Sequence, residues 1–309
     1  MKVKIKAPAT TANLGSGFDI FGAALTIYNE FEAEYFPNAE GKNKAKFVLK
    51  GEGRKTLPKG EKNLVWQSMK ETFKILGCEG KYDLKNVGIT IKTGIPLSGG
   101  IGSSASAIVG GISLANALCA NKLDKSGIAE LAVKIEGHPD NVVPAVFGGL
   151  CICAKDESGH GTIVHLPVPK LKIVLCVPSF ELRTKRSRQI LPKHFELKDV
   201  VFNASRTAIL AAAFCSGDYT LLKKGMEDKI HQPYRGKMIP AMESVMQAAL
   251  SAGAYGSYLS GSGPTIAALS SSKKAGEVQK SMIKTWKKES VCAKSYILDF
   301  DKKGAVEIK

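Results

Sequence analysis

The densest cluster of chemistry-bearing residues is the run Gly94-Ile95-Pro96-Leu97-Ser98-Gly99-Gly100-Ile101-Gly102-Ser103-Ser104. Before it, Val87 to Thr93 alternates as a strand does; after it, Ala105 to Ala120 reads as a small-residue helix starting near Ser103 or Ser104. A helix start carries unpaired N–H groups and a partial positive charge, so it attracts phosphate. Glycines let the backbone close around the oxygens, and first-turn serines either cap the helix or ligate Mg²⁺. A single Gly-Ser pair is an ordinary capped turn; glycine this dense at a strand-to-helix junction points to a phosphate site. Other nucleotide loops are absent. The Gly-Lys pairs at Gly41, Gly80 and Gly236 are followed by Asn43, Tyr82 and Met238, no G-x-G-x-x-G follows a strand, and no His-Arg-Asp catalytic loop occurs.

The elements that must position this loop belong to a well-populated core. The chain has 309 residues, 44% hydrophobic and 23% charged, which excludes a disordered or collagen-like protein. Its length fits two domains of about 150 residues each. The 31 glycines exceed the usual share of about 7%. A formal net charge of +16 raises nucleic acid, membrane surface and acidic small molecules as partners. Aromatics at 7%, with no Arg/Lys stripe and no nucleic-acid signature, argue against the first. The window Ala105 to Ala120 is too short and too polar to span a membrane, and no signal peptide is visible. Seven scattered cysteines without a C-x-x-C pair read as buried free thiols, and the expected location is the cytoplasm.

Strands are expected at Met1–Lys6 (an edge strand), Phe31–Phe36, Ala45–Lys50, Val87–Thr93, Lys172–Val177, Ala254–Leu259, Thr265–Leu269 and Ser295–Leu298. Helical spacing occupies Leu64–Leu76, Ala105–Ala120, Lys125–Glu136, Val200–Ala213, Tyr219–Lys224, Met238–Ala252 and Lys274–Lys288. Ala7 to Gly22 reads as a glycine-punctuated loop, Pro37–Lys44 as a Lys-rich connection, and His160–Lys170 as the boundary between two mixed α/β halves.

The run from Pro96 to Ala105 resembles the P-x-x-x-G-[LI]-G-S-S-A signature of the GHMP small-molecule kinases. Ala7-Pro8-Ala9-Thr10-Thr11-Ala12-Asn13-Leu14-Gly15-Ser16-Gly17-Phe18-Asp19 is similar to a motif of the homoserine kinases within that superfamily. So is Glu136-Gly137-His138-Pro139-Asp140-Asn141-Val142-Val143-Pro144-Ala145. Ser260-Gly261-Ser262-Gly263-Pro264-Thr265 resembles the third glycine motif, and His231-Gln232-Pro233-Tyr234-Arg235 and Thr184 to Pro192 match homoserine-kinase segments. The matches run in order from residue 7 to 265. Departures are Ser98 and Ile101, where Gly and Leu are commoner, and the basic stretch Arg183 to Arg188.

The resemblance implies an ATP- and Mg²⁺-dependent kinase that phosphorylates the side-chain hydroxyl of L-homoserine, on the route to threonine. It implies an α+β, two-domain GHMP kinase fold. Residues 1–165 would form an α/β nucleotide-binding domain with a left-handed βαβ unit, and 166–309 a ferredoxin-like α+β domain. It also implies a homodimer. The phosphates would lie against Pro96, Ser98, Gly99, Gly100, Ile101, Gly102, Ser103 and Ser104, with Mg²⁺ between Ser103 or Ser104 and Glu136. Arg188 and Arg235 would clamp the substrate carboxylate, a task suited to a forked guanidinium. Asp19, helped by Asn13, would face the ammonium, His138 and Asn141 the hydroxyl, and Asn63 the adenine. Asn141, Asp19 and His138 would be the catalytic set. Related kinases carry Asp where Asn141 stands; an amide cannot take a proton, so no strong base is expected there. Mevalonate, shikimate and sugars lack the ammonium, so a kinase for those would not need Asp19 together with both arginines.

Overall fold

The computed structural model describes residues 1–37, 46–97, 99–155, 161–182 and 184–309. Most of the Lys-rich run Pro37–Lys44 lies outside the described residues, as do Arg183 and Ser98, the latter expected at the phosphates.

The first sheet is built on β1 (Lys2–Ala12) and β2 (Phe21–Tyr35), an antiparallel pair. β1 runs six residues past the expected edge strand. Residues 7 to 12 are all buried, so the alternation that marks a half-buried strand is missing and the stretch reads as a loop. Register shifts between Pro8 and Ala9, opposite Tyr28 and Leu25, which bends the pair where proline has no N–H to give. β3 (Phe47–Gly51) and β4 (Val87–Thr93) are parallel neighbours joined through α1 (Leu64–Ile75).

The covering helices are α2 (Ser103–Leu118), α3 (Lys125–Glu136) and α4 (Pro139–Phe147). α2 is central and almost wholly buried. Its small residues let it sit that deep: a Cβ on Gly110 would come within 2.4 Å of the Phe31 ring, and one on Gly111 within 2.6 Å of Val65 O. β5 (Leu150–Lys155) pairs the upper end of β2 and then β6 (Gly161–Leu166), a strand that falls inside the expected boundary segment.

The second sheet begins at β7 (Lys172–Pro178). α5 (Thr184–Gln189), α6 (Leu197–Ser216), α7 (Leu222–Gly225), α8 (Gln232–Gly236) and α9 (Met242–Ser251) precede β8 (Gly256–Leu259) and β9 (Ile266–Ser270). α10 (Ala275–Lys288) then leads to β10 (Ala293–Leu298). The antiparallel order β10-β7-β9-β8 is the ferredoxin-like arrangement. Strand alternation divides its side chains between two cores. Val174 and Cys176 face Met242, Val245, Val278 and Trp286. Ile173 and Leu175 join Phe21, Leu25 and Leu150 of the first sheet, and Leu14 of the turn after β1, in one shared core. The expected 165/166 division falls inside β6, whose Leu166 still pairs with Leu150 of the first sheet. The second sheet starts at Lys172, and the tail returns to the first. There β11 (Val306–Glu307) pairs with β1, and Phe300 bridges to Leu25. No helix among the described residues is long and apolar enough to cross a membrane.

Candidate active site

The loop before α2 is tied to both sheets through its carbonyls. Ile101 O accepts from Thr10 N at 3.2 Å and Gly99 O from Thr265 N at 3.2 Å. Gly100 O accepts from Ser260 Oγ at 2.7 Å. Because a trans peptide sets C=O and N–H on opposite sides, the N–H groups of Gly100, Ile101 and Gly102 face away from these anchors. Gly102 (φ +67°) precedes α2, and no side chain caps the helix start. A Cβ there would lie 1.8 Å from Thr10 Oγ1; on Gly100 (φ +73°) it would lie 2.4 Å from Ser260 O. Both conformation and space therefore demand glycine. The Ser260 anchor continues inward as a buried relay, with Thr11 Oγ1 2.8 Å from Ser260 Oγ and 3.1 Å from Tyr258 Oη. Since Ser260 donates to a carbonyl, it accepts from Thr11, which accepts from Tyr258.

α3 ends in Glu136, and the αL glycine Gly137 (φ +90°) turns the chain into α4. That turn gathers four polar side chains, Glu136, His138, Asp140 and Asn141, beside Ser104 of α2. Ser104 Oγ donates to Glu136 Oε2 at 3.2 Å. His138 Nδ1 lies 2.7 Å from Asp140 Oδ1, and Asn141 Nδ2 donates to the same oxygen at 3.3 Å. Asp140 is buried and an acceptor, so His138 carries its proton on Nδ1. Its Nε2 stands 3.9 Å from Glu136 Oε1, beyond hydrogen-bond range. Burial opposes the charged form of His138, but the hydrogen bond and charge of Asp140 outweigh it and hold the pKa above its ordinary value. Burial raises the Glu136 pKa, with His138 and Ser104 acting against it.

Across the cavity, Arg188 of α5 makes a forked pair with Asp19, at 2.8 and 2.7 Å. Asp19 sits at φ +58° with its N–H on Asn13 Oδ1 (3.1 Å), while Asn13 Nδ2 reaches Gly261 O (3.0 Å). Arg235 of α8 is 2% exposed. It donates to Ser187 O (3.2 Å), Gly261 O (2.9 Å) and His231 Nδ1 (3.3 Å), and none of these described partners is a carboxylate. Burial and the nearby Arg188 charge bring its pKa down to about 10, the condition of a cation short of an anion. His231 Nε2 donates to Gly15 O at 2.7 Å, leaving Nδ1 as the acceptor, and burial holds its pKa below the ordinary value. The Phe18 ring stacks on His231 at 5.3 Å and lies under Arg188 and Arg235 at 5.6 and 5.1 Å.

One cavity of about 450 Å³ is lined by Asp19, Arg188 and Arg235, by the glycine loop with Glu136, His138 and Asn141, and by Leu57, Pro58, Leu64 and Leu97 together with Thr56, Lys62 and Asn63.

The model of the GHMP kinases N terminal domain matches residues 63–149, and that of the GHMP kinases C terminal domain residues 210–288. A homoserine kinase of Desulfitobacterium hafniense is 40% identical over 306 residues, covering 99% of this chain and all of its own. The chain belongs to the homoserine kinase family. The crystal structure of a homoserine kinase from Cytophaga hutchinsonii superimposes with a TM-score of 0.87 at 31% identity, covering 99% of this chain and 97% of that one. A mevalonate kinase of Methanococcus jannaschii shares the fold at 15% identity, with a TM-score of 0.70 and coverage of 96% and 98%.

Of the residues the homoserine-kinase motifs single out, Asn13, Asp19, Glu136, His138, Asn141, Arg188, Arg235 and the loop from Gly99 to Ser104 are brought together in the one cavity. Two described residues stand differently. Pro96 is buried and lies outside the lining. Asn63 lines the cavity, but its amide is engaged as the cap of α1, Oδ1 accepting from Val65 N and Nδ2 donating to Pro58 O. It therefore serves the helix start, as its type at that position predicts. The sequence assigns no role to Thr10, to His231 or, Asn63 apart, to the lining residues between 56 and 64. The first two lie inside quoted motifs, and the third group has no periodic signal.

Proposed function

We propose that this chain catalyses ATP + L-homoserine → ADP + O-phospho-L-homoserine, a step in threonine biosynthesis. The observation that carries the reading is the single cavity joining the glycine loop to the cluster of Arg188, Asp19 and Arg235, in a chain whose 40%-identical relative is a homoserine kinase over its full length. The outward N–H groups of Gly100 to Gly102 and the start of α2 suit the phosphates. The apolar side chains Leu57, Pro58, Leu64 and Leu97 of the lining suit a base. Arg235 and Arg188 fit a carboxylate, Asp19 an ammonium.

A magnesium ion fits the donor set beside the loop. Ser104 Oγ and Glu136 are hard oxygens beside the glycine loop, and burial raises the Glu136 pKa, so a cation there would favour its charged form. They would hold the ion, Ser104 being the loop serine already bonded to Glu136. When bound, Mg²⁺ supplies neutralisation of charge on the transferred phosphoryl. Asn141 orients the substrate hydroxyl and takes no proton. Asp140 is already the acceptor for His138 and Asn141, so positioning and electrostatics carry the rate. The free thiols, five of them buried, fit a cytoplasmic enzyme, and the family resemblance extends the reading to a homodimer.

A coupled ADP-release assay with homoserine, mevalonate, shikimate and a hexose tests the substrate. Turnover with homoserine alone is expected. Turnover with another substrate and none with homoserine refutes the assignment.

A further inference from the structure

Thr10 carries no charge, and beyond anchoring Ile101 O and crowding Gly102 it has no role in the chemistry described above. It is fully buried on β1, between two parts of the cavity that must stay in register. Its Oγ1 lies 2.8 Å from Asn141 Oδ1. Asp140 decides the direction of that contact. A carboxylate only accepts, so the Asn141 amide nitrogen faces Asp140 Oδ1 (3.3 Å) and the amide oxygen faces Thr10, whose hydroxyl must donate. The same hydroxyl occupies the space a side chain on Gly102 would need, 1.8 Å from its ideal Cβ position. Thr10 N, in turn, holds Ile101 O at 3.2 Å. One strand residue thus touches both the phosphate loop and the amide at the start of α4.

We propose that Thr10 is a positioning residue for phosphoryl transfer: its hydroxyl locks the Asn141 amide with the oxygen inward and sets it at a fixed offset from the glycine loop. Asn141 then offers the cavity an N–H and not a carbonyl. The inference rests on the reading above, in which Asn141 meets the substrate hydroxyl. Valine in place of Thr10 keeps the shape, removes the donor and frees the amide to rotate. A misplaced reacting group can lower the rate by up to about 100-fold without weakening binding.

The test is a double-mutant cycle. T10V is expected to lower kcat by about 10- to 100-fold with little change in either KM. T10S, which keeps the hydroxyl, is expected to restore most of kcat, and T10V on an N141A background to add no further loss. A merely structural role would lower the melting temperature and multiply with N141A. Wild-type kcat in T10V, independent effects of the two substitutions, or failure of T10S to rescue overturns the proposal. T10A carries the same cycle if T10V does not fold. Wild type is assayed first: no turnover of homoserine refutes the substrate reading alone. The Thr10 contact is then read without turnover, from proton exchange at the Asn141 side-chain amide in ¹⁵N spectra, identified by its absence in N141A. Slow exchange in wild type and fast exchange in the hydroxyl-less variant supports the lock; equal exchange in both overturns it.

Discussion

Asp19 and Arg188, the two groups suited to opposite ends of an amino acid, are each other's partner in this structure. Their side chains are 32% and 36% exposed, and an ion pair that open contributes at most about 1 kcal/mol. A zwitterion can replace it without loss, because it returns an anion to Arg188 and a cation to Asp19. A substrate with a carboxylate alone takes Arg188 and leaves Asp19 unpaired. 4-Hydroxybutanoate, homoserine without its ammonium, should therefore have a kcat/KM at least about tenfold lower, near 1.4 kcal/mol. Arg188→Lys keeps the charge and loses the fork, so the homoserine KM should rise by a similar factor while the ATP KM stays put. Steady-state kinetics with each substrate varied in turn reads both. A rise confined to the ATP KM would place Arg188 at the nucleotide.

At the scale of elements, β1, α2 and the Ser260–Gly263 turn leave the glycine loop no freedom, which is what the proposed phosphate site requires. Gly102 combines a left-handed backbone with a forbidden Cβ position, whereas Gly217, after α6, has φ +74° and nothing within 4 Å of its Cβ position. An alanine in the left-handed region costs about 1–2 kcal/mol by itself. Gly217→Ala should show that loss and no more, with nucleotide binding intact. Gly102→Ala should lose more stability and also nucleotide binding, since Thr10 or the start of α2 must move. Thermal unfolding with and without a non-hydrolysable ATP analogue separates the two. Equal melting temperatures for both variants would mean that the Thr10–Gly102 approach is not tight.

Across the whole molecule, His231 joins the halves: it precedes α8, donates to Gly15 after β1, and accepts from Arg235. Its folded pKa is below the ordinary value because burial disfavours the cation. Unfolded chains therefore bind its proton more readily. The stability it contributes is full above about pH 6.5, the unfolded value, and is lost as pH falls through that value toward the folded pKa, at up to about 1.4 kcal/mol per unit. His138 has the opposite sign, its stability present at low pH and lost on raising it. Comparing His231→Gln with wild type cancels that term. Urea midpoints at pH 7.5 and 5.5 should fall more for wild type than for the variant; parallel falls would exclude His231 as the source.

How much of this was legible in the chain follows from how local each cause is. The strand Val87–Thr93 and the helix Lys125–Glu136 coincide with the expected spans, because one-sided burial leaves an alternating or helical pattern in the residues themselves. β1 beyond Lys6 left no such pattern, since both its faces are covered. The glycine loop is legible from residue type and order, because backbone N–H groups at a helix start suit few partners. Arg188 and Arg235 are named only through the resemblance of their motifs to homoserine-kinase segments. Tertiary structure alone decided the pairings. Asp19 faces Arg188 across 169 residues, Thr10 faces Asn141 across 131, and β11 returns from the end of the chain to β1. Contacts of that separation depend on where two sheets pack around a shared core. No local propensity specifies that distance, and it alone turns a set of plausible side chains into a single cavity.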